Sequence, residues 1–108
     1  MRGDPVPEPM SAQLHGGALQ GAGELLKALA APVRLAVVME LKDGPRHVRD
    51  LVTALGIAQP LVSQHLRVLR GAGLVIADRQ GRQVEYSLAD AHVAHIVVDA
   101  IRHAEEAR

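Results

Sequence analysis

The sequence predicts a mainly α-helical domain with a small β-hairpin, in the order helix, helix, helix-turn-helix, hairpin, helix. Three observations point there. Apolar residues recur at three- and four-residue spacing through most of the chain. Two short stretches of that kind, Val48–Leu55 and Pro60–Leu69, are separated by only a few residues that include Gly56. The period then falls to two between Leu74 and Leu88 before a helical pattern resumes. Together they describe a winged helix-turn-helix with an extra N-terminal and an extra C-terminal helix.

Residues 1–16 contain Pro5, Pro7 and Pro9, little apolar periodicity and then Gly16-Gly17, which predicts a disordered N-terminal arm. Met10 is an alternative natural start. Residues 17–107 then form one domain. Ala22, Leu25, Leu26 and Leu29 mark a first helix over Ala18–Ala30. Pro32 suits the first position of a second helix, which runs to about Lys42 and ends at Gly44-Pro45. That helix is apolar on nearly every side, so it belongs at the centre. Val48, Leu51, Val52 and Leu55 give a short third helix stopped by Gly56. The fourth starts at Pro60 and carries Val62, Leu66 and Leu69 inward. Leu74–Ala77 and Val84–Leu88 form the hairpin, with Arg79-Gln80-Gly81-Arg82 as a basic tip. A last helix spans Asp90 to about Ala107, with Val93, Ile96, Val97, Ala100, Ile101 and Ala104 on its apolar side.

Composition narrows the chemistry. A chain of 108 residues, 48 % hydrophobic, holds one core, yet is small enough that pairing with a second copy helps to bury apolar surface. Tyr86 is its one aromatic residue, so the core is Leu, Val, Ile and Ala. There is no run apolar enough for a membrane span or a signal peptide, which gives a cytoplasmic expectation. The absence of cysteine excludes disulfides, thiolate metal sites and thiol redox sensing. Any metal must be held by nitrogen and oxygen, which suits zinc, nickel or cobalt.

Formal net charge is zero, but it is unevenly spread. Between Ala58 and Val84, Arg67, Arg70, Arg79 and Arg82 face Asp78 alone; from Leu88 onward Asp90, Asp99, Glu105 and Glu106 outnumber Arg102 and Arg108. A basic segment followed by an acidic one fits a DNA-contacting surface with a separate cation site. With Val62, Leu66 and Leu69 inward, Ser63, Gln64 and Arg67 lie on the outward side of the fourth helix, where side chains reach base edges and phosphates. Gln59 at its start and Arg79 and Arg82 on the wing complete the candidate contacts. His65 is either a base contact or a partly buried helix residue.

The last helix carries Asp90-x-His92 at its start and His103-x-x-Glu106 at its end, an N/O set that completes four-coordinate zinc. His92 and His103 are eleven residues apart, roughly 16 Å along a helix axis, too far for one ion in one chain. Eleven residues is also close to three turns, so both fall on one stripe. Two copies packed antiparallel across a two-fold axis bring the start of one helix to the end of the other, giving two sites per dimer. Two plainer readings stand beside this: Asp90 as an N-cap, and Glu105-Glu106 as a solvated tail.

Three stretches, Leu29-Ala30-Ala31-Pro32-Val33-Arg34-Leu35, Gln59–Leu69 and Gly81-Arg82-Gln83-Val84-Glu85-Tyr86, resemble the ArsR/SmtB family of metal-sensing repressors over roughly residues 18–107. The family pattern on the last helix is Asp-x-His, ten intervening residues, then His-x-x-Glu or His, and Asp90, His92, His103 and Glu106 satisfy it. The resemblance implies a homodimer that binds double-stranded operator DNA and is released by zinc, two ions per dimer. It also implies that the second ring nitrogen of His103 donates to backbone just after the recognition helix, around Gly73. Relatives with a second, Cys-containing site place it where Arg46-His47-Val48-Arg49-Asp50 stands, with His47 at the Cys position. Here His15, His47 and Asp50 are either a weak remnant site or solvated surface. His95 and Asp99 lie near the ligand stripe, as alternative ligands or interface residues. A nickel or cobalt sensor of the same family, and a metal-independent DNA-binding regulator, are the competing readings. An enzyme is not expected, since four protein ligands leave no open position for catalysis.

Overall fold

The computed structural model describes residues 17–107. The elements in chain order are α1 (Ala18–Leu29), α2 (Pro32–Leu41), β1 (Arg46–His47), α3 (Val48–Leu55), α4 (Gln59–Gly71), β2 (Val75–Gln80), β3 (Gln83–Leu88) and α5 (Ala91–Glu106). This is a winged helix-turn-helix with a helix added at each end. The proposed arm, including His15, lies outside the described residues.

Helix α2 sits where its sequence requires. Val37, Val38 and Leu41 are buried, and α1, α3, α4, β3 and α5 all pack against it. Pro32 occupies its first turn, where a missing N–H costs nothing. The helix-turn-helix wraps one flank: Leu51 comes from α3, and Val62, Leu66 and Leu69 come from α4, all at most 1 % exposed. Gly56 closes α3 at φ +68°, the left-handed conformation that suits a C-terminal stop, and donates its N–H to Val52 O at 2.9 Å. Val93 and Val97 of α5 complete the core from the opposite flank. No helix among the described residues is long and apolar enough to cross a membrane.

The wing differs from the sequence expectation in two ways. It is a three-stranded antiparallel sheet in the order β1-β3-β2, because Arg46 pairs with Tyr86 and His47 with Glu85. A two-residue strand is too short to leave an alternating pattern, so nothing in the sequence announced it. The hairpin tip is also tighter than Arg79–Arg82. Arg79 pairs with Val84 and Gln80 with Gln83, which leaves Gly81-Arg82 as the turn. Gly81 has φ +63° and Arg82 does not take a positive φ, the pattern of a type II′ turn with glycine first.

Two substitutions test this packing at matched protein concentration. Leu66→Ala removes a core side chain and is expected to lower unfolding free energy by about 2–5 kcal/mol in a denaturant titration. Gly56→Ala meets no atom within 4 Å, so its loss of about 1 kcal/mol measures the backbone alone.

Candidate nucleic-acid and metal sites

Helix α4 presents its outward face as its periodicity requires. Gln59, Gln64 and Arg67 are exposed and Ser63 is half-buried, while the opposite face is fixed in the core by Val62, Leu66 and Leu69. His65 is half-buried, with Nδ1 3.3 Å from Arg34 Nη1. A guanidinium only donates, so Nδ1 accepts and Nε2 of the neutral ring carries the proton. Arg34 also donates through Nε to the carbonyl of Ala28 near the end of α1. One side chain of α2 thus ties α1 to the recognition helix.

On the wing, Arg79 lies in β2 with Nη1 3.5 Å from the Gly81 carbonyl, and Arg82 lies exposed in the turn. Gln80 Nε2 donates to Glu85 Oε1 at 3.2 Å across the hairpin. Between wing and helix-turn-helix runs a groove of about 570 Å³ that brings Gln59 and Arg82 together with Arg49 and Gln83. The last two were not singled out by the sequence pattern. Arg49 stands between Val48 and Asp50 in a short helix, and only the pairing of β1 with β3 carries it to the foot of the wing.

The four metal candidates divide as their spacing demands. Asp90 is the N-cap of α5; its Oδ1 accepts from the His92 backbone N–H at 2.9 Å and lies 3.3 Å from His92 Nδ1. The plain capping role is therefore real, and it occupies Oδ1 only. The Asp90 and His92 side chains are 59 % and 88 % exposed. His103 and Glu106 lie exposed near the other end of the helix. Among the described residues of one chain, no three groups of metal-ligating type come together, and no hydrogen bond joins His103 to Gly73. His95 and Asp99 are exposed on the same helix.

At the alternative site, Asp50 accepts from the His47 backbone N–H at 3.0 Å, with His47 as the N-cap of α3. Both residues therefore take part in starting that helix, and His15, their proposed companion, is outside the described residues.

A further surface belongs to α1 and α5. Leu26, Leu29, Leu35, Ile96 and Ala100 line an apolar cleft of about 220 Å³, and Leu19 and Leu26 are 52 % and 53 % exposed.

Comparison with known proteins agrees with this geometry. Residues 31–77 match the family described as bacterial regulatory protein, arsR family. The chain is 59 % identical over 88 residues to the HTH-type transcriptional repressor SmtB of Mycobacterium tuberculosis strain H37Rv, covering 82 % of this chain and 65 % of that protein. It thus spans somewhat less than two thirds of that relative's length. It is 47 % identical to the HTH-type transcriptional regulator NmtR of the same strain, over 88 % of this chain and 79 % of that one. Among solved structures, the homodimeric winged helix-turn-helix DNA-binding domain of a possible ArsR-family regulator from Mycobacterium bovis superposes with TM-score 0.77 at 29 % identity, covering 94 % of this chain and 92 % of that one. The likeness runs through helix-turn-helix, wing and flanking helices, and the chain belongs to the arsR family of bacterial regulatory proteins.

Proposed function

We propose that this chain is a zinc-responsive transcriptional repressor that acts as a homodimer, binding operator DNA through α4 and the wing and releasing it when zinc occupies the α5 helices. The observation that carries the reading is the division of Asp90/His92 and His103/Glu106 between opposite ends of one exposed helix stripe. A stripe of that kind is completed by an antiparallel copy of itself. The apolar cleft between α1 and α5 supports pairing on this side of the molecule, because it leaves Leu26 half uncovered in a single chain.

The donor set suits zinc: two imidazole nitrogens and two carboxylates, all on accessible side chains, with no thiolate to favour a softer ion. Asp90 and His92 of one chain with His103 and Glu106 of the other would hold the zinc, and their shared bonds to it would fix the two α5 helices at one angle. The chain's own residues determine what that angle does. Asp90 would keep its Oδ1 on the start of α5, and its Oδ2, which makes no hydrogen bond among the described residues, would be the oxygen offered to the metal. Helix α5 rests on α2, and α2 carries α3 and α4, so a change at the dimer seam moves both recognition helices relative to successive major grooves. His103 would hold the metal through one ring nitrogen and would keep the other as a donor, which the family resemblance directs to the segment around Gly73. By linkage, zinc and DNA weaken each other equally, by about 5–150-fold for couplings of the usual size.

The test uses duplexes enriched by the wild-type chain from a random-sequence pool. Zinc titrated into the complex is expected to lower duplex affinity within that range as read by fluorescence anisotropy; an unchanged affinity removes the sensor reading, and release by nickel or cobalt alone reassigns the metal. The division between chains has its own check. His92→Ala and His103→Ala should each abolish high-affinity zinc binding, and mixing the two variants should restore one zinc per heterodimer, because one of the two sites then keeps all four ligands. Failure to recover zinc on mixing would place the ligands within one chain.

A further inference from the structure

The groove between wing and helix-turn-helix is lined by two guanidinium side chains from different elements, Arg49 of α3 and Arg82 of the turn. Gln59 from the first turn of α4 and Gln83 from the first position of β3 join them, above a floor that includes Tyr86. No carboxylate lines it, and among the described residues neither arginine lies within 4.0 Å of one. The nearest acids in sequence are engaged elsewhere: Asp50 with the His47 backbone, and Glu85 with Gln80.

The placement follows from the fold. β1 pairs with β3 and runs directly into α3, so the second residue of that helix is held at the foot of the wing. The type II′ turn sets Arg82 over the same groove from above. Two unpaired guanidiniums repel across a shared concavity unless an anion with several acceptor oxygens lies between them, and planar donor forks match a phosphate group.

We infer that this groove seats one DNA backbone phosphodiester per protomer, held by Arg49 and Arg82 with the amides of Gln59 and Gln83 as neutral donors. The inference rests on the DNA-binding reading above and adds to it a positioning contact at Arg49. With α4 in the major groove and the wing beside it, the strand separating those two features has to cross this groove, and its phosphate is the group that meets the arginines first. Such a contact sets the register of the recognition helix on the duplex and carries no base preference.

The experiment uses the full-length chain and duplexes it enriches from a random pool. If no duplex is enriched or bound by the wild-type chain, the DNA-binding reading itself fails and this inference falls with it. With binding established, Arg49→Ala is expected to weaken enriched and scrambled duplexes by a similar factor, on the order of tenfold. The slope of log affinity against log salt should fall by about 0.9 per protomer. An uncharged methylphosphonate is then placed at each backbone position in turn. At one position per half-site, the wild type should lose about as much as Arg49→Ala does, and Arg49→Ala should lose nothing further. The wild-type scan within this arm reads the wild-type fold alone, so a single sensitive position per half-site is found or missed whatever the variant's folding. Three outcomes overturn the inference: a wild-type salt slope in Arg49→Ala, a loss confined to the enriched sequence, or independent losses at every methylphosphonate position. A fourth does so too, namely inorganic phosphate bound by the wild type and lost in Arg49→Ala with duplex affinity unchanged, which assigns the groove to a free anion.

Discussion

Everything in this molecule depends on the burial of α2. Its Pro-Val-Arg-Leu-Ala-Val-Val-Met-Glu-Leu sequence leaves no stripe polar enough to face water, so other elements must cover it on all sides. That requirement places α1 and α5 on one flank, the helix-turn-helix on another and the wing at the end. The energy comes from aliphatic surface: the fully buried large side chains are all Leu or Val. Aromatic residues contribute nothing to that core beyond Tyr86 at its margin. A core of this kind fixes helix positions through many small contacts.

Among the described residues, Arg34 is the charged side chain that reaches across this packing. It leaves α2, meets a backbone carbonyl of α1 and ends on His65 of the recognition helix. The helix that bears the apolar cleft and the helix that faces outward for reading therefore share a polar joint as well as an apolar one. In a half-buried setting such a joint helps to select among nearly equivalent packings, because its donors need particular acceptors.

Much of this is legible in the amino-acid sequence. The helix order, the inward set on α4 and the stop at Gly56 came from period and from glycine chemistry, which act locally. The separation of Asp90 and His92 from His103 and Glu106 by the length of α5 came from counting turns. What escaped was non-local. β1 has two residues and exists only because β3 is present to pair with it. The wing tip was placed two residues too early because Arg79 and Gln80 have the polarity of a loop but lie on a paired edge. Arg49 gave no signal, since its neighbours in the groove come from α4 and the hairpin. Asp90 was legible as the cap of α5.

Tyr86 adds something of practical weight. It is the one aromatic side chain in a chain without Trp or Phe, and it lies in the floor of the groove between wing and helix-turn-helix. The protein therefore carries a single native chromophore, set at the place where its charged elements converge. Its phenol emission and near-ultraviolet absorption report on that one location with no label and no engineered residue.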